Sequence, residues 1–452
     1  MAALSRLPGI RHSAAVEQAS RPVRWLLQLS PIVQRRVAWF GAALAIAAYF
    51  PRFMHGGGAA IFSAAADCML HGRTPRHCGE LIYAYPPFFA LLWTPLAPMP
   101  ALLRAMVWYI VVIGTIAASL RLCEALVRRS FPGEWSVREL MTFRILTFVL
   151  GAKLMLAVLG NQAYDSVALV FILSGLLALM DGRGLLGGAC LAVAAALKVT
   201  PVIFLPYLLF KRRFAAAGVF TVVLVFLSIL PDILLPPKEQ WHVTVWLRDV
   251  ILAPLDLKPG FDLPFWVGDS PMNQSFHAAI IRLFTRVHEQ QPFEVILAIM
   301  QSRPFVIALD TVRASYVLVV ACIMLKSRRH DRLIAVDGAL LVISALLLSP
   351  VSSQSHFVGL LLPYALLSAA LLKDASMRGF NAAILLLSFV LITATSNDLV
   401  GRSVTGWALW NSLPVYGTLV LIVPLAVLIW SPSASSRSVI EPPTRGQPNV
   451  VR

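Results

Sequence analysis

The chain has 452 residues, of which 58% are hydrophobic and 13% charged, and its mean hydropathy is +0.76. A soluble chain is closer to half apolar and a quarter charged, and no single water-soluble core hides this much apolar surface; an ordinary cytosolic enzyme, a disordered chain and a nucleic-acid reader are excluded. The net charge of +16 sits in short basic clusters between apolar runs, the pattern by which a multi-pass membrane protein orients itself.

In chain order, residues 1–35 are polar and basic, with Arg6, Arg11, Arg21, Arg24 and Arg35. No signal-peptidase-like site ends the apolar run that follows, so they read as a cytoplasmic tail before an uncleaved anchor. A span needs roughly 20 apolar residues, fewer where its ends lie in protein or a cavity. On that basis the runs predict about twelve spans, at 36–53, 101–127, 141–159, 162–180, 184–198, 199–210, 214–235, 305–326, 333–349, 354–372, 379–396 and 411–430. The pieces at 184–198 and 199–210 are short, and one of them reads as part of a broken helix. The fold class is therefore all-α: a polytopic helical bundle over 36–430, with 431–452, rich in Ser, Pro and Arg, as a disordered cytoplasmic tail.

Alternation from a cytoplasmic N-terminus puts Arg128/Arg129, Arg183, Lys211-Arg212-Arg213, Lys326/Arg328/Arg329/Arg332 and Lys373/Arg378 on the inside. The short outside linkers hold Arg402 as their one basic residue, so the clusters agree on a side. Counting Pro86–Pro100 as a span would move Arg128 and Arg129 outside; it reads instead as a helix along the outer face. Two outer regions are large, about 54–100 and 236–304. The first holds the apolar stretch Ile61–Leu70, and the second holds Trp241, Trp246 and Trp266; both read as surfaces resting on the outer leaflet. Cys68 and Cys78 fall in the first, with nine residues between them, whereas Cys123, Cys190 and Cys322 lie in apolar runs. In an oxidising periplasm the first two are expected to pair.

Five motifs collect on the outer side. Tyr83-Ala84-Tyr85-Pro86-Pro87 fixes the entry of an interfacial helix and sets a phenol at headgroup level, or serves as an aromatic-belt turn. Gly160-Asn161-Gln162 joins two spans with amides that either bond a sugar or phosphate or cap helix ends. Ala196-Leu197-Lys198-Val199-Thr200-Pro201 places an ammonium at a helix break, where it binds an anion or snorkels to water. Asn273-Gln274-Ser275 with Arg282 lies in the second outer region, where a plain loop fits nearly as well. Ser349-Pro350 to Ser355-His356 breaks two spans with hydroxyls and one imidazole.

In this order and on one face, these motifs resemble glycosyltransferase family 87, a GT-C-type family of polyprenyl-phosphate-dependent hexosyltransferases that includes mycobacterial mannosyltransferases. The resemblance covers most of 36–372 and is carried by Leu70-His71-Gly72, Tyr85-Pro86-Pro87 with Pro95-Leu96-Ala97, Gly160 to Gln162, Leu197 to Pro201 with Lys211-Arg212-Arg213, Asn273-Gln274-Ser275, and Ser349-Pro350 to His356. It implies a GT-C-like bundle with interfacial helices in the first outer loop. It further implies a metal-independent, cofactor-free inverting transfer of a hexose such as mannose. The donor is a lipid-linked sugar, the acceptor a lipid or glycan, the place the periplasmic face of the cell inner membrane; membrane lipids are partners and nucleic acid is not. A carboxylate of the first outer loop would act as general base, and cationic groups would stabilise the departing lipid phosphate.

The family's usual Asp, counted back from Gly72, falls on Gly58, and no carboxylate occurs between Tyr49 and Ala66. The base is therefore expected to be Asp67, with His55 and Glu80 behind it. Lys198 and His356 would hold the donor phosphate, and Tyr85, Asn161, Gln162, Asn273 and Gln274 would line the sugar and acceptor pocket. The missing Asp motivates an alternative: a catalytically silent relative that binds an isoprenoid phosphate. A secondary transporter is a further alternative, but that class shows two related halves and midplane sites. Asp310 and Arg313, three apart, are more simply an ion pair on one helix face.

Overall fold

The computed structural model describes residues 44, 46–78, 83–252, 268–285 and 291–430. It divides into two units, Met1–His55 and Gly56–Arg452. In the first, the described chain is helical to Met54 and ends in an exposed turn at His55. There the Arg52 guanidinium lies 5.9 Å from the Tyr49 ring centroid, and Phe50 and Phe53 stack at 6.4 Å.

The regular elements of the second unit are all helices, with no strand among its described residues. It opens with α1 (Gly58–Leu70) and α2 (Pro87–Trp93), followed by α3 (Ala101–Ser130), α4 (Val137–Gly160), α5 (Asp165–Met180), α6 (Gly184–Leu197), α7 (Phe204–Phe210) and α8 (Phe214–Leu234). The segment that follows carries α9 (His242–Trp246), α10 (Phe276–Thr285) and α11 (Phe293–Gln301). Then come α12 (Arg303–Leu325), α13 (Ile334–Leu348), α14 (Leu361–Lys373), α15 (Arg378–Ile392), α16 (Asn397–Trp410), α17 (Leu413–Leu419) and α18 (Ile422–Trp430).

Six helical stretches among the described residues are long and apolar enough to cross a membrane: 101–130, 137–160, 214–234, 303–329, 354–373 and 413–430. A seventh arises if α15 and α16, bent by 77° at their junction, count as one. These make the chain a multi-pass membrane protein. The expectation of twelve is not met by helices of spanning length. The runs expected at 162–180, 184–198 and 333–349 are helices of 16, 14 and 15 residues, about 24, 21 and 22 Å long against a hydrocarbon core of roughly 30 Å. Their continuous apolarity matches a span, but a helix apolar all round is equally one buried inside a bundle. All but a few side chains of α13 are buried. Half of the expected first span at 36–53 lies outside the described residues, as do Trp266 and the tail 431–452.

Small residues let these inner helices approach. A Cβ at Gly188 of α6 would sit 2.2 Å from the Ala216 carbonyl oxygen of α8, so the two backbones touch as small-residue helices do in membranes. Local caps set the starts. Ser136 and Glu139 form a reciprocal capping box at α4, and Ser302 caps α12 with Pro304 just inside.

Candidate functional site

Asp165 is the first residue of α5, and Lys198 caps the C-terminus of α6. Each charge lies where its helix dipole favours it, acid at an N-terminus and base at a C-terminus. Lys198 is extended (φ −147°, ψ 121°), because Thr200-Pro201 cannot continue the helix and starts a 3₁₀ turn at Thr200–Ile203. The antiparallel pair α5–α6 then brings Lys198 Nζ onto Asp165 Oδ1. His356 Nε2, from the 3₁₀ segment Gln354–Leu360, lies 3.9 Å from the same oxygen. Lys198 has three N–H donors, and Asp165 is its one hydrogen-bond partner among the described residues.

A cavity of about 50 Å³ opens on this cluster, room for ordered water. Ala168, Leu169 and Ile172 form its α5 wall, and they share one face with Asp165 at helical spacing. Val342 and Leu346 of α13 face them. The charges thus stand at the head of an apolar cleft between helices.

Aromatic rings cover the other side. Tyr164, beside Asp165, stacks on Phe89 (4.1 Å) and meets Tyr85 edge-on (5.1 Å) and Phe62 (5.8 Å). The Tyr164 hydroxyl is buried with no hydrogen-bond partner among the described residues. Burial pushes the Tyr85 phenol above its ordinary range, with the charge of Asp165 adding to it, so Tyr85 stays a neutral donor.

The Gly160–Gln162 turn is the joint between this cluster and the first loop. Gln162 adopts φ +52°. Its Oε1 accepts from Ala59 N–H (3.0 Å) at the start of α1, and its carbonyl accepts from Trp108 Nε1 (2.8 Å). Its amide is therefore occupied in holding α1, whereas Asn161 is exposed. Gly58 packs against the same turn, where a Cβ would lie 2.5 Å from the Asn161 carbonyl oxygen. The position that the family resemblance assigns to Asp has no room for any side chain. Further along, Cys68 and Cys78 form a disulfide with Cα atoms 6.1 Å apart, tying the end of α1 to the turn at Pro75–His77.

Asn273 and Gln274 are buried and act on the site from behind. Asn273 Nδ2 donates to Pro350 O (2.9 Å), and its Oδ1 accepts from Ser352 N–H (2.9 Å) and Ser275 N–H (3.2 Å). Gln274 N–H donates to Ser352 O (2.7 Å), while its side-chain amide reaches Pro271 O and Leu409 O, both at 2.7 Å. Two motifs far apart in sequence are one clasp, which bolts the 349–352 turn that delivers His356. These amides were expected to line a sugar pocket; their donors are taken up by backbone instead.

Asp67 stands on the exposed side of α1, with its Oδ1 3.6 Å from His71 Nδ1. His55 belongs to the other unit, and Glu80 lies outside the described residues. Of the expected site residues the structure brings Lys198, His356 and Tyr85 about one carboxylate, Asp165, which was not among them. Its signal was present: an ionisable residue at the head of a membrane-depth apolar run is a functional candidate by default.

Fold and site define a multi-pass membrane protein with a buried cation–carboxylate–imidazole cluster at the head of an apolar cleft. The chain belongs to glycosyltransferase family 87, whose model matches residues 83–350. The match takes in Tyr85, Asp165, Lys198 and Asn273, and leaves Asp67 and His356 outside it. The chain is 27% identical over 284 residues to a polyprenol-phosphate-mannose-dependent alpha-(1-2)-phosphatidylinositol pentamannoside mannosyltransferase of Mycobacterium tuberculosis (strain CDC 1551 / Oshkosh), covering 62% of this chain and 57% of that protein. It is 28% identical over 156 residues to the protein of the same description from Mycolicibacterium smegmatis, covering 34% of each. The chain thus spans little more than half the length of the first relative and a third of the second.

Proposed function

We propose that the protein is a membrane glycosyltransferase that moves a hexose, with mannose the first candidate, from a polyprenyl-phosphate sugar to a lipid or glycan acceptor on the periplasmic side of the inner membrane. The observation that carries this reading is the Asp165–Lys198–His356 cluster heading an apolar cleft. A polyprenyl phosphate needs cations for its head and apolar walls for its tail, and both occur here in that order. The family and the mannose-dependent relatives support the same substrate class. The GT-C-like membrane module over 36–430 and the cytoplasmic termini belong to this proposal.

In the mechanism, the two remaining Lys198 donors and the His356 imidazole meet the donor phosphate. They stabilise the charge that grows on it as the sugar–phosphate bond breaks. Asp165 orients Lys198 and is a positioning residue. It is poorly placed as the base. In an inverting transfer the acceptor oxygen, the anomeric carbon and the leaving oxygen lie in line between base and phosphate, and one ammonium touching both leaves no space for that line. The base therefore comes from the acceptor side, and Asp67 is the first-loop carboxylate proposed for it.

The test is transfer of labelled hexose from synthetic polyprenyl-phosphate sugars into membrane extract by the purified full chain. Product is expected, and Asp67→Asn is expected to slow it by about a hundredfold or more. An active Asp67→Asn protein would remove that assignment. The filled position at Gly58 and the exposure of Asp67 favour one second reading, a silent polyprenyl-phosphate binder. Donor binding without product, with any sugar or acceptor, would select it.

A further inference from the structure

A second charged cleft lies at the far end of α13 from the Asp165 cluster. Its volume is about 400 Å³, within the range of small-ligand sites, and it is lined by Lys211, Arg212, Arg213, Arg328, Arg329 and Asp331. Most of these charges have work inside the fold. Lys211 Nζ bonds Ser327 O (2.7 Å), His330 O (3.3 Å) and Asp337 Oδ2 (3.1 Å). Arg328 Nε bonds Phe210 O (3.0 Å), and Arg213 pairs with Asp331 (2.7 Å). Arg212 and Arg329 are exposed, and neither has a side-chain partner among the described residues. The carbonyl that ends α7 and those of the turn after α12 are thus already met by cations, while α8 begins at Phe214 with no side chain capping its first turn. That adds the positive end of a helix dipole to two free guanidiniums.

We infer that this cleft binds the phosphate of an anionic glycerophospholipid such as phosphatidylglycerol. The cleft sits at the ends of two membrane-length stretches, Phe214–Leu234 and Arg303–Arg329. Its chain neighbours Leu209, Phe214 and Leu325 are exposed at 48%, 65% and 59%, apolar surface that acyl chains would cover. A guanidinium pair matches phosphate bidentately. The lining has no aromatic ring and no neutral polar side chain to select a base or a sugar, which disfavours a nucleotide. The inference stands apart from the transferase reading, because it uses none of the residues of that site.

The experiment measures lipid binding to the full chain in neutral detergent by native mass spectrometry, with phosphatidylglycerol, phosphatidylcholine and inorganic phosphate as separate probes. Phosphatidylglycerol is expected to bind about tenfold or more tightly than phosphatidylcholine, as two cations at a headgroup predict. The double variant Arg212→Gln/Arg329→Gln is expected to lose that preference, and Arg183→Gln, on another basic linker, to keep it. Equal affinity of the unmodified protein for the two lipids overturns the inference without recourse to any variant. So does a preference that survives the double substitution. Inorganic phosphate binding as tightly as phosphatidylglycerol would return the cleft to free anions and likewise overturn it.

Discussion

Two lysine–aspartate pairs are built by one local rule and put to opposite uses. Lys198 caps the end of α6 and meets Asp165 in the first turn of α5; Lys211 caps the end of α7 and meets Asp337 in the first turn of α13. The difference lies in what surrounds them. Around Lys211 all three ammonium protons have acceptors, Tyr207 adds a hydroxyl to Asp337 Oδ2 at 3.1 Å, and the two side chains are 1% and 0% exposed. Around Lys198 one acceptor is present, an imidazole stands 3.9 Å from it, a cavity adjoins, and the side chains are 14% and 6% exposed. A pair whose ammonium has every proton bonded is an anchor. A pair with donors left over beside a cavity is a site.

The sharpest way to break this comparison is to remove the lysines in turn. Lys211→Met strands a buried carboxylate and is expected to destabilise the protein by about 3–5 kcal/mol, read as a large drop in thermal midpoint in detergent. Adding Asp337→Leu should recover part of it, because an apolar pair of similar volume often replaces a buried ion pair without loss. Lys198→Met is expected to lower the midpoint less, since the cavity admits water to Asp165. Its main effect should be a loss of polyprenyl-phosphate affinity of roughly a hundredfold, about 2.7 kcal/mol. Equal losses of stability from the two variants would erase the distinction.

Smaller effects sharpen it. Gly58→Asp forces a Cβ onto the Asn161 carbonyl and should cost about 1–3 kcal/mol of stability rather than restore an active-site carboxylate; an increase in transfer rate would contradict this packing. Asn273→Ala removes one donated and one accepted hydrogen bond from the turn before His356, and a third from its own segment. A stability loss near 1–2 kcal/mol is expected, with donor affinity falling while Lys198 stays in place. Tyr164→Phe deletes a buried hydroxyl that has no partner, so the thermal midpoint should hold within about 0.5 kcal/mol of the parent. A fall in transfer rate without loss of stability would show that the hydroxyl reaches substrate.

Much of the fold was legible in residue order. Continuous apolar runs are helices because a backbone in lipid must satisfy itself within one segment. The break at Lys198 was visible in Thr200-Pro201, and the tight Gly160–Gln162 joint in its composition. The count of spans was not legible. Residues 165–180, 184–197 and 334–348 are as apolar as any span, and only packing separates a helix facing lipid from one enclosed by other helices.

The site divides along the same line. By itself the sequence determined which residues carry charge at helix ends, since Lys198 and Asp165 sit at a terminus through local propensity and the proline. Tertiary structure alone decided which of them meet. Asp165 and Lys198 are 33 positions apart, and Asn273 reaches Pro350 across 77. It also decided which amides are free, and here composition misleads. Asn161, Gln162, Asn273 and Gln274 look alike as polar residues in apolar surroundings, yet three of them are consumed by backbone groups brought from elsewhere. A buried hydrogen bond is settled by whichever partner the fold delivers, and that partner is written in another part of the chain.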